Sequence, residues 1–188
     1  TTGQFEARRT LPVYSRQLFP ELLLGEAGPD YRTAGTTLME DAAIRLWTLD
    51  NEVLIASIKT KMHAISPDVC EGLNLAVEMA EKDFQGVVIW SGDEPFSVGA
   101  DLQAMLPAFM VAGVSAVEGA EHEMQQTMLR LRYANVPVVS AIRGMALGGG
   151  CELAVHSARR VVHMESYIGL VEVGVGLVPG AGGLTYIA

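Results

Sequence analysis

The chain has 188 residues, 49% of them hydrophobic, with a formal net charge of −9 and an isoelectric point near 4.8. This length suffices for one domain with its own core, and the acidic balance excludes a general nucleic-acid surface, which needs clustered Lys and Arg. No apolar run reaches the length of a membrane span and the first residues lack a signal-peptide core, so the expectation is a cytoplasmic protein.

In chain order, residues 1–37 contain Pro12, Pro20 and Pro29 with Gly25, Gly28 and Gly35 and hold no sustained period. They read as an arm or interdomain linker. Leu18, Phe19, Leu22, Leu23 and Leu24 are too apolar for a solvated tether, so this arm is expected to pack on its own domain, a partner subunit or a further domain. Two β-type runs, 42–49 and 52–58, flank Asp50-Asn51 in a hairpin pattern. Ser66-Pro67-Asp68 starts a helix, with Ser66 as N-cap and Pro67 at the first helical position, running to about Lys82. A strand over 86–91 follows, then a loop ending at Asp101, an amphipathic helix over about 114–134 and a strand over 137–142. After a glycine turn come a helix to about Ala158, a strand over 159–163 and a loop beginning at Glu172. Strands alternating with helices predict an α/β domain with parallel crossovers. Cys70 and Cys151 lie far apart without CxxC spacing, which indicates buried thiols and neither a disulfide framework nor a zinc site.

The run Gly144-Met145-Ala146-Leu147-Gly148-Gly149-Gly150-Cys151-Glu152-Leu153-Ala154 carries the chemistry. Three successive glycines remove Cβ atoms where a helix starts, so a ligand can approach N–H groups that the first turn leaves unpaired. Such a place suits a developing negative charge. Glu152 sits in that first turn, where the helix dipole favours a carboxylate. Taken alone, the same run also reads as an ordinary capped helix. Two further segments, 93–102 and 172–183, each follow a strand, and in parallel sheets ligands bind at the carboxyl ends of strands. The three loops can therefore converge on one pocket.

Nucleotide binding fails on detail. Pro179 follows Gly174-Val175-Gly176 where a dinucleotide fingerprint needs its third glycine, and no glycine precedes Lys and Ser/Thr as in a phosphate loop. A Ser97 nucleophile finds no supporting motif, and His63, His122, His156 and His163 read as surface or core histidines. Glu152 and Glu172 differ, because each lies beside a glycine-rich loop. Two carboxylates at one site push their pKa values apart, giving one acid and one base, the apparatus for adding or removing water at a double bond.

The segments Phe96-Ser97-Val98-Gly99-Ala100-Asp101-Leu102, Gly144 to Ala154 and Glu172 to Gly183 together resemble the crotonase (enoyl-CoA hydratase/isomerase) superfamily, over about residues 38–188. The resemblance implies a crotonase-like ββα spiral core. It places the thioester carbonyl oxygen between the backbone N–H groups of Ser97 and Gly149, and one water between Glu152 and Glu172. Ala64, Ala100, Asp101 and Leu102 are expected at the coenzyme A, with the Ala64 backbone facing the adenine, although His63-Ala64-Ile65-Ser66 stands where the family usually reads Asn-Ala-Leu-Asn. Coenzyme A would enter as part of the acyl-CoA substrate, with no metal and no covalently bound cofactor. The implied activity is enoyl-CoA hydration in fatty-acid β-oxidation. The alternatives are an isomerase, which can work with the glutamate matching Glu172 alone, or a non-catalytic docking module. Residues 1–37 resemble the linker joining such a module to an NAD-dependent 3-hydroxyacyl-CoA dehydrogenase. Family members continue for several tens of helical residues past the position of Ala188, so a truncated, self-associating homo-oligomer is expected.

Overall fold

The computed structural model describes residues 31–187. Those from Gly35 onward belong to one compact unit. Most of the expected arm, including Leu18 to Leu24, lies outside the described residues. Its expected end at residue 37 falls inside the first strand.

That strand, β1 (Thr36–Glu40), pairs antiparallel with β2 (Ile44–Thr48), and β2 pairs antiparallel with β3 (Leu54–Ile58). The β1–β2 turn is fixed by Asp41, whose Oδ1 accepts the N–H groups of Ala43 and Ile44 at 2.7 and 2.8 Å. From β3 onward the sheet is parallel: β4 (Val87–Ile89), β5 (Val138–Ile142) and β7 (Arg159–Val162) follow in the order β1-β2-β3-β4-β5-β7. A second sheet pairs β6 (Met145–Leu147) with β8 (Tyr167–Gly169), also in parallel.

Parallel neighbours need crossovers, and helices supply them. Helix α1 (Pro67–Asp83) links β3 to β4 and begins as its sequence predicts, with Ser66 Oγ accepting Val69 N–H at 3.3 Å. Helices α2 (Leu102–Ala112) and α3 (Val114–Arg132) link β4 to β5, and α4 (Gly149–His156) lies between β6 and β7. A 3-10 turn (Glu172–Val175) and the short α5 (Gly183–Tyr186) follow β8. The core joins Ile44, Leu46, Leu54 and Ala56 of the sheet to Val69, Leu73, Val77 and Ala80 of α1 and to Met128 and Leu131 of α3. Burying each large aliphatic side chain there contributes about 1.5–3 kcal/mol. Both cysteines are buried.

The hairpin, α1, β4, α3, β5, α4 and β7 agree with the sequence reading within a few residues. The additional elements include α5 and the 3-10 turn at Glu172–Val175, in the segment read as a loop, and four more. β1 is short and largely exposed, β6 and β8 have three residues each, too few to show a period, and α2 is apolar along most of its length with Pro107 inside it.

Candidate active site

The segment after β4 is held from two sides. An isolated bridge ties Ser97 to Ala146: Ser97 N–H donates to Met145 O at 3.0 Å and Leu147 N–H donates to Ser97 O at 2.9 Å. A second bridge ties Ile65 to Ala100, with Ile65 N–H on Gly99 O at 2.8 Å and Asp101 N–H on Ile65 O at 3.0 Å. The fully buried Ser97 hydroxyl donates to His63 O at 2.7 Å and accepts Gly99 N–H at 3.1 Å. These bonds consume the N–H groups of Ser97, Gly99 and Asp101. The N–H of Ala100 has no acceptor among the described residues.

Across from it, α4 starts with Glu152 N–H on Gly148 O at 3.0 Å. The N–H groups of Gly149, Gly150 and Cys151 precede that first helical bond and have no acceptor among the described residues, as the geometry of a helix start requires. Ala100 N and Gly149 are neighbours, since a Cβ built on Gly149 would lie 3.3 Å from Ala100 N. The unpaired donor beside Gly149 is therefore Ala100. This corrects the expectation for Ser97, whose N–H is engaged with Met145.

Glu152, 2% exposed, projects from the first turn of α4, and its Oε1 accepts Gly183 N–H at 2.9 Å. Burial pushes its pKa up, the charges of Glu172 and Glu121 add to that, and N–H donors from Gly183 and Ala181 pull against it. Glu172 opens the 3-10 turn after β8. Its Oε1 is packed on Gly148, where an added Cβ would approach to 3.0 Å, and its Oε2 is buried without a hydrogen-bond partner among the described residues. A buried carboxylate oxygen left unpaired is costly unless something else occupies it.

A third carboxylate, which the sequence reading did not single out, comes from α3. Glu121 lies against Gly180, where an added Cβ would displace its carboxyl, and Gln125 Nε2 donates to Gly180 O at 2.7 Å. Burial raises the Glu121 pKa, and the charge of Glu172 raises it further. On the helical pattern alone Glu121 belongs to a solvated face, and only the docking of Gly180 brings it inward.

The residues expected at the coenzyme line one edge, because the Ile65–Ala100 bridge sets Ala64 beside Ala100, Asp101 and Leu102. Ala64 N–H donates to Lys61 O at 3.2 Å and its carbonyl accepts Thr60 Oγ1 at 2.6 Å. Asp101 Oδ1 caps α2 by accepting Gln103 and Ala104 N–H at 3.1 and 3.0 Å. Leu102 is exposed. Among the described residues no group of three or more His, Cys, Asp or Glu side chains is placed to hold a metal ion, and no helix is long and apolar enough to cross a membrane.

The Ala100 and Gly149 N–H groups thus stand beside the buried Glu152 and the half-buried Glu172, on a parallel-rich sheet. A sequence profile described as enoyl-CoA hydratase/isomerase matches residues 51–188. The chain belongs to the enoyl-CoA hydratase/isomerase family. Within it, the chain is 42% identical over 134 residues to a Rickettsia felis protein described as a trifunctional enzyme of the fatty acid oxidation complex, a match covering 71% of this chain and 19% of that one. It is 34% identical over 146 residues to a Bacillus subtilis protein described as a 3-hydroxyacyl-CoA dehydrogenase, covering 78% and 18%. The chain thus spans about a fifth of the length of these relatives. Among solved structures, the enoyl-CoA hydratase of Bacillus anthracis superposes with a TM-score of 0.68 at 26% identity, over 77% of this chain and 56% of that one. The enoyl-CoA hydratase of Thermoplasma volcanium gives 0.69 at 26%, over 78% and 58%. The mixed sheet and its helices are those of the crotonase fold.

Proposed function

We propose that this chain adds water syn across the double bond of a trans-2-enoyl-CoA, as the hydratase part of a multifunctional fatty-acid oxidation protein. The observation that carries this reading is the juxtaposition of two unpaired N–H groups, Ala100 and Gly149, with Glu152 and Glu172 on either side of the Gly148–Gly150 run.

In this reading the thioester oxygen accepts both N–H groups, so the negative charge that builds on it as C3 is attacked meets preorganised donors and the positive end of α4. Loss of one such donor typically costs about 2.7–4 kcal/mol of barrier lowering. The water sits between the glutamates, and the unpartnered Oε2 of Glu172 accepts its proton as the oxygen bonds to C3. Glu152, whose protonated form burial favours, gives a proton to C2. One hydrogen and one hydroxyl are added, and the carboxyl pair has exchanged one proton between its members. The coenzyme lies along the Ala64 to Leu102 edge and meets backbone there, because the Asp101 carboxylate is committed to α2. The product, a 3-hydroxyacyl-CoA, is the kind of molecule that the dehydrogenase named among the relatives would consume. An NAD-dependent dehydrogenase segment and a homo-oligomeric assembly belong to this proposal.

Loss of enoyl-thioester absorbance with a 2-enoyl-CoA tests the reading. Turnover by the chain, reduced by orders of magnitude but still measurable in both Glu152→Gln and Glu172→Gln, supports it. Absence of hydration alongside a double-bond shift that survives Glu152→Gln identifies an isomerase, and no reaction in either assay leaves a docking module.

A further inference from the structure

Glu152 is fixed from an unexpected direction. His156 stands one turn further along α4, 1% exposed, and no step of the proposed reaction uses it. Its Nδ1 lies 2.7 Å from Glu152 O, and since a carbonyl only accepts, Nδ1 carries the hydrogen and donates it. That bond fixes the plane of the ring. The opposite edge of the imidazole, Cε1 and Nε2, faces Gly182, where an added Cβ would lie 3.1 Å from both atoms. Tyr186 of α5 meets the same ring edge to face, with centroids 4.7 Å apart and planes at 78°. Tyr186 is covered in turn by the Arg132 guanidinium, 3.8 Å from its ring centroid, and Arg132 also donates to Val155 O at 3.4 Å.

These contacts close a circuit. The ring of His156 supports Gly182, which precedes α5, and Tyr186, its last residue. Gly183 between them gives its N–H to Glu152 Oε1. Gly182 can serve here because its left-handed φ of +96° turns the chain into α5 and because no side chain intervenes between it and the imidazole. Gly183 has no slack on the other side, where an added Cβ would lie 2.8 Å from Glu152 Cγ and from Leu170 Cδ2.

We propose that His156 is a positioning residue for Glu152: its ring sets the height of the Gly182–Gly183 turn and thereby the hydrogen bond that aims the Glu152 carboxyl. The inference rests on the reading of Glu152 as a reacting carboxyl, and one of its readouts does not depend on turnover. Burial favours the neutral ring in this place, and the charge of Arg132 acts in the same direction, while the hydrogen bond to the Glu152 carbonyl acts against them.

The test uses the full chain with His156→Ala, which removes the ring, and His156→Phe, which keeps its shape. The first readout is the Glu152 titration midpoint followed by carboxyl ¹³C NMR. Loss of the Gly183 donor should raise it in His156→Ala and leave it near the parent value in His156→Phe. The second is a kinetic cycle with a 2-enoyl-CoA. Displacement of a reacting group by about an ångström costs on the order of 10²-fold, so kcat should fall by roughly that factor in His156→Ala with KM little changed, and His156→Ala should add nothing to Glu152→Gln. A midpoint unmoved in His156→Ala overturns the proposal, as does an equal kcat loss in the parent and Glu152→Gln backgrounds. If His156→Ala does not fold, His156→Phe decides: a raised midpoint there also overturns it. A parent chain that does not hydrate the substrate, yet shows the NMR shift, refutes the hydratase reading and leaves the positioning role standing.

Discussion

Gly99 and Gly149 touch: a Cβ on Gly99 would lie 2.8 Å from the Gly149 nitrogen and 2.8 Å from Leu147 O. Gly99 also has a φ of +93°, where other residues are strained. The spacing of the Ala100 and Gly149 donors therefore depends on the absence of one methyl group.

Gly99→Ala should separate those donors and lower kcat by about 10²–10³-fold, the usual loss for one oxyanion donor. Binding of free coenzyme A, which does not use the donors, should change far less. Steady-state kinetics beside calorimetric titration would show this, and unaltered kcat in a folded variant would mean that the pair has no part in the reaction.

The carboxyl pair should also be tunable from α3. Glu121 is one of the charges that raise the Glu152 pKa, after burial and Glu172, so Glu121→Gln should lower the Glu152 midpoint while leaving it above the ordinary carboxylate value. Carboxyl ¹³C titration reads this directly. A midpoint that stays fixed would place Glu121 too far away to act.

Glu152→Gln should be more stable than the parent at neutral pH. A carboxyl whose pKa is raised by folding contributes stability below its unfolded value, 4.5 here, and loses it as pH rises through the folded value. Glutamine keeps an oxygen for Gly183 N–H and has no charge to bury. Urea denaturation at pH 7 and at pH 4 should show a gain at the first and little difference at the second.

Ser97→Ala should destabilise the chain by about 1–3 kcal/mol, the cost of leaving buried polar groups unsatisfied. It strips His63 O of a donor and Gly99 N–H of an acceptor. If chemical denaturation finds no loss, ordered water has replaced the hydroxyl.

Helices α1 and α3 share an acid-sensitive clamp. Arg130 donates to both oxygens of Glu81 at 2.8 and 2.6 Å, and Asn135 N–H adds a third bond at 2.9 Å. The guanidinium first, then Asn135, holds the Glu81 pKa down at about 2. Because that value is depressed, the contribution is present above 4.5 and is lost as pH falls toward 2. Arg130→Met should abolish most of this acid dependence in thermal melts taken between pH 5 and pH 2.

Much of this was legible in the sequence for a physical reason: Ser66-Pro67, the 42–49 and 52–58 runs and the three-glycine helix start are local signals, and local geometry produced the elements they mark. The donor at Ala100 was not. Four consecutive residues, Ser97 to Ala100, each carry an N–H, and which one stays unpaired is decided by the Met145 and Met62 carbonyls and the Ser97 hydroxyl, none of them adjacent to Ala100 in the chain. Glu121 was hidden for the same reason. An acidic residue on an amphipathic helix looks solvated until a distant glycine, Gly180, packs over it.

The small parallel ladder of β6 and β8 acts as a ruler. It sets Leu147 opposite Gly169, and each glutamate is counted off from its own strand end, Glu152 along α4 and Glu172 along the loop. The number of residues between the two glutamates is therefore irrelevant to their meeting. Residues inserted around 163–165 would be absorbed in the connection to β8, whereas one residue inserted between Gly169 and Glu172 would carry the second carboxylate off Gly148 while leaving the ladder itself intact.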